Sequence, residues 1–383
     1  MGETLVGFLS HLRNSYLKDF SRNSRLRIVC GNESADLDSV VSAITYAYFS
    51  YINDPSKPIV PILNILKADL ELRRDIVWVL KQRNIPHSLL FFQEDLQDLR
   101  KRFNCPIDAV LVDHNDTQSV AKTLVDSVVG IIDHHEDLGL HKDILDRKCG
   151  PRVVTVAGSC SSLVFNYWHN ILGSHRRKAE IDALYLCLGA LLIDTTNMSY
   201  KVERPDLQAH ATYKVSLHGF DFDGYFDQVR QAKDDIEGLP LRDILRKDYK
   251  EFEFPKAREG NVKCGMASVV RPLEWIQQQF GDQELINACG QFLQERSQDI
   301  LLILTSWTTE EGKFSRQLAF CTGAQQNIEI SQQIAEKVHN FLDLKPIDIM
   351  DSPVKSFVFF AQLNTNASRK QVAPCLQDAC REL

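Results

Sequence analysis

In "VVGIIDHHEDL" (128–138) five mostly apolar residues run straight into Asp133, His134 and His135. Carboxylates and imidazoles are the side chains that hold divalent cations and move protons. Three further segments end in the same way. "RIVCGNESADLDS" offers Asn32, Asp36 and Asp38, "AVLVDHND" offers Asp113, and the apolar stretch in "EIDALYLCLGALLIDTTNM" (180–198) reaches Asp194. Taken alone, Asp36 and Asp38 are accounted for by capping the helix that follows. Recurrence at four segment ends is what points to one shared site. Four carboxylates brought together repel and raise one another's pKa unless cations balance them. A pair of divalent cations carries about the charge needed, so the pattern suits a two-metal hydrolytic centre.

Short apolar runs supply the elements that must position these residues. "LRIVC" (26–30), "PIVPIL" (58–63), "SLLFF" (88–92), "AVLVD" (109–113) and "VVGII" (128–132) read as buried strands. "DSVVSAITYAYFSYI" and "LELRRDIVWVLKQR" (70–83) read as helices between them, and 180–198 as a buried helix. Buried strands alternating with helices predict an α/β fold with a mostly parallel sheet flanked by helices. The carboxyl ends of parallel strands share one edge, where open α/β sheets build their sites. Polarity rises over 218–238, which places a boundary between a domain over 1–225 and a second over 226–383. Strands at 266–270, 299–307, 316–322 and 355–363 with helices between them predict a smaller α+β second domain.

The formal net charge of −7 argues against a nucleic-acid partner. No apolar run approaches the roughly 20 residues that cross a bilayer, so no membrane span is expected. Ten cysteines without a CxxC pair are expected to be reduced, which favours the cytosol.

The order N-x-x-x-D-x-D, V-D-H-N, D-H-H and an Asp closing a buried helix resembles the DHH phosphoesterase superfamily. "CGNESADLDSVVSAITYAYFSY", "VAGSCSSLVFNYW" and "LRKDYKEF" are similar to its branch of family II inorganic pyrophosphatases, prune proteins and fungal exopolyphosphatases. There a DHH catalytic, metal-binding domain precedes a substrate-binding DHHA2 domain. The likeness covers nearly the whole chain, least well in the first twenty or so residues and around 200–235.

The resemblance implies metal ligands at Asn32, Asp36, Asp38, Asp113, His134 and Asp194, with Asp113 and Asp194 shared or nearly shared between two ions. It implies that His135 contacts phosphate or protonates a leaving oxygen, which makes His135 and Asp113 the expected catalytic pair. Phosphate-binding cations of the second domain match Lys250, read here as lying on a charged helix, and Arg369 and Lys370, whose own pattern also suits a solvated turn. Lys201 is a further candidate phosphate contact.

Pyrophosphatases of this branch carry His where this chain has Asn32. An amide oxygen is a harder ligand than imidazole, so two Mg²⁺ ions are expected, with Mn²⁺ the other candidate. The expected activity is that of an exopolyphosphatase, taking the terminal phosphate from linear inorganic polyphosphate. A monomer is expected, with no nucleic-acid or membrane partner. The alternatives are an inorganic pyrophosphatase or nucleoside tetraphosphate hydrolase on the same centre, or a prune-like interaction protein with weak activity.

Overall fold

The computed structural model describes residues 4–21, 24–173, 177–257, 260–352 and 354–383. They form two compact units, Met1–Asp235 and Ile236–Leu383.

In the first unit, β1 (Leu26–Cys30), β2 (Val60–Ile62), β3 (Ile107–Val112), β4 (Ser127–Asp133) and β5 (Arg152–Val154) form a parallel sheet in the order β2-β1-β3-β4-β5. The middle strands are buried with no alternation, as a sheet covered on both faces requires. The chain steps from β1 outward to β2 and then returns to β3 on the other side of β1. The crevice between the carboxyl ends of β1 and β3 is therefore the switch point where such sheets bind ligands.

The helix Leu37–Asn53 begins where Asp36 Oδ1 accepts the Ser39 amide at 3.1 Å. It is buried all round from Leu37 to Phe49 because the helices Cys160–Leu172 and Arg177–Asp194 pack on it. The turn into it is tight at Gly31, where a Cβ would collide with the Ser39 hydroxyl. The N-terminal helix Leu5–His11 buries Leu5, Phe8 and Leu9, and Phe8 meets the rings of Tyr48 and Tyr51.

In the second unit, β6 (Tyr249–Pro255), β7 (Asn261–Val269), β8 (Ile300–Thr308), β9 (Phe314–Thr322), β10 (Leu344–Pro346) and β11 (Phe357–Gln362) form a mixed sheet. Its order is β10-β11-β9-β8-β7-β6, and only β7 and β8 run parallel. The helix Leu273–Glu295 contributes to the core on one face, and Gln325–Leu342 and Arg369–Cys380 to the core on the other.

Two sequence expectations are corrected. "SLLFF" is not a strand: His87–Leu89 is a single 3₁₀ turn and only Phe92 bridges to Leu63. The Phe92 amide is spent on Asp95 Oδ2 at 2.8 Å, capping the helix Gln93–Phe103 instead of extending a ladder. Lys250 is not on a helix but on β6, where the alternation of Phe252 and Phe254 with Glu251 and Glu253 has the two-residue period of a strand. The polar stretch 218–238 holds the helix Phe222–Asp234, whose Tyr225, Phe226 and Val229 join the first core.

All ten cysteines are free. No described helix is long and apolar enough to cross a membrane.

Candidate metal centre

The loops leaving β1, β3 and β4 carry the site. Asp113 follows β3 directly and adopts φ of 63°, a left-handed conformation that costs a non-glycine residue about 1–2 kcal/mol. Its amide is held by Ile132 O at 3.0 Å, and its carboxylate is almost wholly buried. Oδ2 accepts Asn32 Nδ2 at 2.7 Å. Oδ1 receives no hydrogen bond, although His134 Nε2 lies 3.1 Å away.

The His134 ring is fixed from behind. Its Nδ1 lies 2.9 Å from the carbonyl oxygen of Ala157, which can only accept, so Nδ1 carries the proton. In a neutral ring Nε2 then carries a lone pair 3.1 Å from a carboxylate oxygen. An Nε2 lone pair and a carboxylate oxygen 3.1 Å apart repel, so positive charge on or beside Nε2 stabilises the pair. A proton on Nε2 supplies it in one state and a cation in another. Burial works to lower the His134 pKa, but the Asp113 carboxylate and the charge of Asp38 prevail and push it up to about 10.

Asp38 is buried in the first turn of its helix, beside the start of another. Oδ1 accepts Ser159 Oγ and the Ser161 amide, both at 2.7 Å, and Oδ2 accepts the Cys160 amide at 2.6 Å. These donors sit at the N-terminus of the helix Cys160–Leu172, where unpaired amides favour an anion. Oδ2 keeps spare acceptor capacity and lies 4.0 Å from His134 Nε2. The loop that supplies these amides is anchored by the fully buried Asp206, which accepts the amides of Gly158, Ser159 and Glu203 at 2.6, 3.3 and 2.9 Å.

Asp133 is also fully buried. Its Oδ1 accepts His135 Nδ1 at 2.8 Å and both the His134 and His135 amides, while Asn115 Nδ2 donates to Oδ2 at 2.5 Å. His135 is thereby oriented from Nδ1, and its side chain is 57% exposed. Ligand atoms of Asp113, His134 and His135 lie within 4.8 Å of one another. His135 is the most exposed of the three, and its Nε2 is free of the contact that Nδ1 makes with Asp133.

The remaining predicted residues vary in how they meet this cluster. Asn32 Oδ1 is committed to the Ala35 amide at 3.0 Å and to Ser34 Oγ at 2.7 Å, so its amide turns a donor, not a lone pair, toward Asp113. Asp36 caps its helix. Asp194 ends the buried helix with Oδ2 enclosed and without a hydrogen bond, and burial and then the charges of Asp38 and Asp36 hold its carboxyl well above the ordinary range. Asp113 is raised likewise, by burial and by Asp38, against the pull of His134. Lys201 is exposed, with its ammonium over the Tyr200 ring. In the second unit, Lys250, Arg369 and Lys370 line one cavity of about 690 Å³, and Arg369 pairs with Asp248 at 2.6 Å. Arg369 and Lys370 open a helix, so the alternative of a solvated turn does not hold.

The buried Asp113 Oδ1 and the His134 imidazole are donors that fit a hard or borderline divalent cation. Asp194, whose buried Oδ2 also lacks a hydrogen bond, feels the charges of Asp38, Asp36 and Asp113 but is not part of the close group of Asp113, His134 and His135. Asn115, Ser159 and Asp206 were not singled out from the sequence. Asn115 lies within "VDHN" and Ser159 within "VAGSCSS", so position in a motif was the available signal for those two.

A family model described as "DHH family, N-terminal domain" matches residues 27–191, and one described as "DHHA2 domain" matches 227–379. A Schizosaccharomyces pombe protein named "Putative exopolyphosphatase" is 29% identical over 100% of this chain and 99% of its own length. The Bos taurus "Exopolyphosphatase PRUNE1" is 30% identical over 92% of this chain and 75% of its own. The "Manganese-dependent inorganic pyrophosphatase" of Methanothrix thermoacetophila is 26% identical over 63% of this chain and 68% of its own. Among solved structures, the "Methanococcus jannaschii putative family II inorganic pyrophosphatase" has a TM-score of 0.55 at 18% identity, over 93% of this chain and 99% of that one, a likeness of fold.

Proposed function

This chain belongs to the DHH family, with a DHHA2 domain following, and on that premise we propose that it is an exopolyphosphatase that removes the terminal phosphate of linear inorganic polyphosphate as orthophosphate. The relatives named exopolyphosphatase, which match nearly the whole chain, support the substrate class. The observation that carries the metal-dependent reading is the close approach of His134 Nε2 to the buried Asp113 Oδ1, 3.1 Å apart.

The proposed ligands are Asp36, Asp38, Asp113, His134 and Asp194, for two divalent cations, Mg²⁺ or Mn²⁺; the preference for Mg²⁺ expected from an Asn32 amide oxygen falls with that ligand. Ligation by Asn32 requires its amide to turn away from Ser34 and Ala35, so its proposed part in the folded state is to hold the Asp113 carboxylate. Cations held there supply charge that polarises phosphoryl oxygens and acidifies an attacking water.

The side chains divide the remaining work. Asp113 and Asp38 supply the negative field, with Asp38 fixed by the helix N-terminus. His135, hydrogen-bonded through Nδ1 to buried Asp133, presents Nε2 to the substrate and protonates the departing oxygen of the shortened chain. Lys250, Arg369 and Lys370 bind phosphoryl oxygens, for which a guanidinium fork beside an ammonium is well suited. The ten free cysteines support a cytosolic setting. A monomer without nucleic-acid or membrane partners completes the reading.

A pyrophosphatase is the second reading, favoured by the manganese-dependent relatives. Orthophosphate release from pyrophosphate, tripolyphosphate and long-chain polyphosphate separates the two. Turnover of the longer substrates is expected; a protein active on pyrophosphate alone overturns the assignment.

A further inference from the structure

The cavity of about 690 Å³ in the second unit is lined by four cations, Lys250, Arg316, Arg369 and Lys370, against two carboxylates, Asp248 and Glu253. Asp248 is already taken by Arg369, with Nη2 to Oδ1 at 2.6 Å and Nη1 to the backbone oxygen at 2.9 Å. Glu253 accepts the Asn261 amide at 2.9 Å. The cavity therefore holds an excess of positive charge that the protein does not itself neutralise.

Arg316, on β9, is the residue that shows this most plainly. It is half-buried, and among the described residues it has no carboxylate partner, unlike Arg242, Arg246 and Arg369 of the same unit. Nε donates to Thr365 O at 2.8 Å, and the guanidinium lies 5.0 Å from the centre of the Phe314 ring. These two contacts orient the fork while leaving both terminal nitrogens available. Burial pulls its pKa below the ordinary arginine value, and no neighbouring charge offsets this. A guanidinium oriented, partly stripped of water and left without a counter-ion is arranged for an anion that arrives from outside.

We propose that Arg316 is a further substrate-binding residue, which together with Lys250, Arg369 and Lys370 lets this cavity grip several phosphate groups of a linear polyphosphate at once and so favours chains over single phosphates. The identity of the anion rests on the exopolyphosphatase reading. A cavity of this size lies within the range of small-ligand sites and extends beyond a single phosphate. A single bidentate arginine–phosphate contact is worth about tenfold in affinity or more.

The test is calorimetric binding to the full chain in EDTA, where divalent-metal hydrolysis is off, with tripolyphosphate and orthophosphate as probes. Arg316→Gln is expected to weaken tripolyphosphate binding by about tenfold while changing orthophosphate binding by less than about twofold. Arg316→Lys, which keeps the charge without the fork, is expected to fall between. Equal tripolyphosphate affinity in all three proteins, or no binding by the wild type, overturns the proposal. Should Arg316→Gln melt early, the comparison of Arg316→Lys with wild type decides. Turnover of long polyphosphate by the wild type in Mg²⁺ tests the enzymatic reading separately: binding through Arg316 without turnover sinks that reading and leaves this one standing.

Discussion

His134 Nε2 lies 3.1 Å from Asp113 Oδ1, while Nδ1 of the same ring lies 2.9 Å from Ala157 O. The second contact fixes the tautomer, and the first then favours a proton or a cation at Nε2. Proton and metal compete for one position.

The competition has a definite sign. In the metal-free protein the Asp113 carboxylate and the charge of Asp38 push His134 up to about 10, above the ordinary 6.5. Its protonated form stabilises the metal-free fold fully below about pH 6.5, and this contribution is lost as the pH rises through about 10. Cation binding must expel that proton, so affinity for Mg²⁺ or Mn²⁺ rises with pH between neutrality and about 10. Calorimetry in buffers of different ionisation enthalpy should show about one proton released per protein near pH 8. Affinity independent of pH over that range contradicts the assignment of His134.

Asp113→Asn should lower turnover by on the order of a thousandfold, because it removes the charge that faces His134. Near-normal turnover would remove Asp113 from the centre.

Asp133→Asn should cost about 10–100-fold in turnover with metal affinity little changed. Asp133 reaches His135 through Nδ1 but only the backbone amide of His134. An equal fall in metal affinity would show that Asp133 acts on the ligands and not on the proton donor.

Asp206→Ala deprives the amides of Gly158, Ser159 and Glu203 of their shared acceptor. The metal-free protein should lose about 3 kcal/mol in denaturant unfolding, in line with buried hydrogen bonds to a charged group. Unfolding unchanged from wild type would mean the loop is held elsewhere. A Cβ at Gly158 would meet Lys201 O at 2.5 Å and Thr195 Cγ2 at 2.6 Å, so Gly158→Ala should disturb the same loop.

Much of this was legible in the sequence, and where it was not the reason is local. The strands before Asn32, Asp113 and Asp133 announced themselves because both faces are buried and the runs are continuously apolar. "SLLFF" looked the same but ends at a helix cap that claims the Phe92 amide. β5 is three half-buried residues at a sheet edge, too short to leave a pattern. The orientation of Asn32 depends on the Ala35 amide, a detail that residue type does not carry. The partners of Asp38 lie at Ser159, Cys160 and Ser161, more than a hundred residues along the chain, where no periodicity links them. Arg316 gave no motif, and only its lack of a carboxylate in three dimensions marks it out.

Anomalous diffraction from crystals of the wild-type protein grown with Mn²⁺ tests the central claim most directly. A peak is expected within about 2.0–2.4 Å of both Asp113 Oδ1 and His134 Nε2. No peak there, with the two side chains still facing each other, would contradict it.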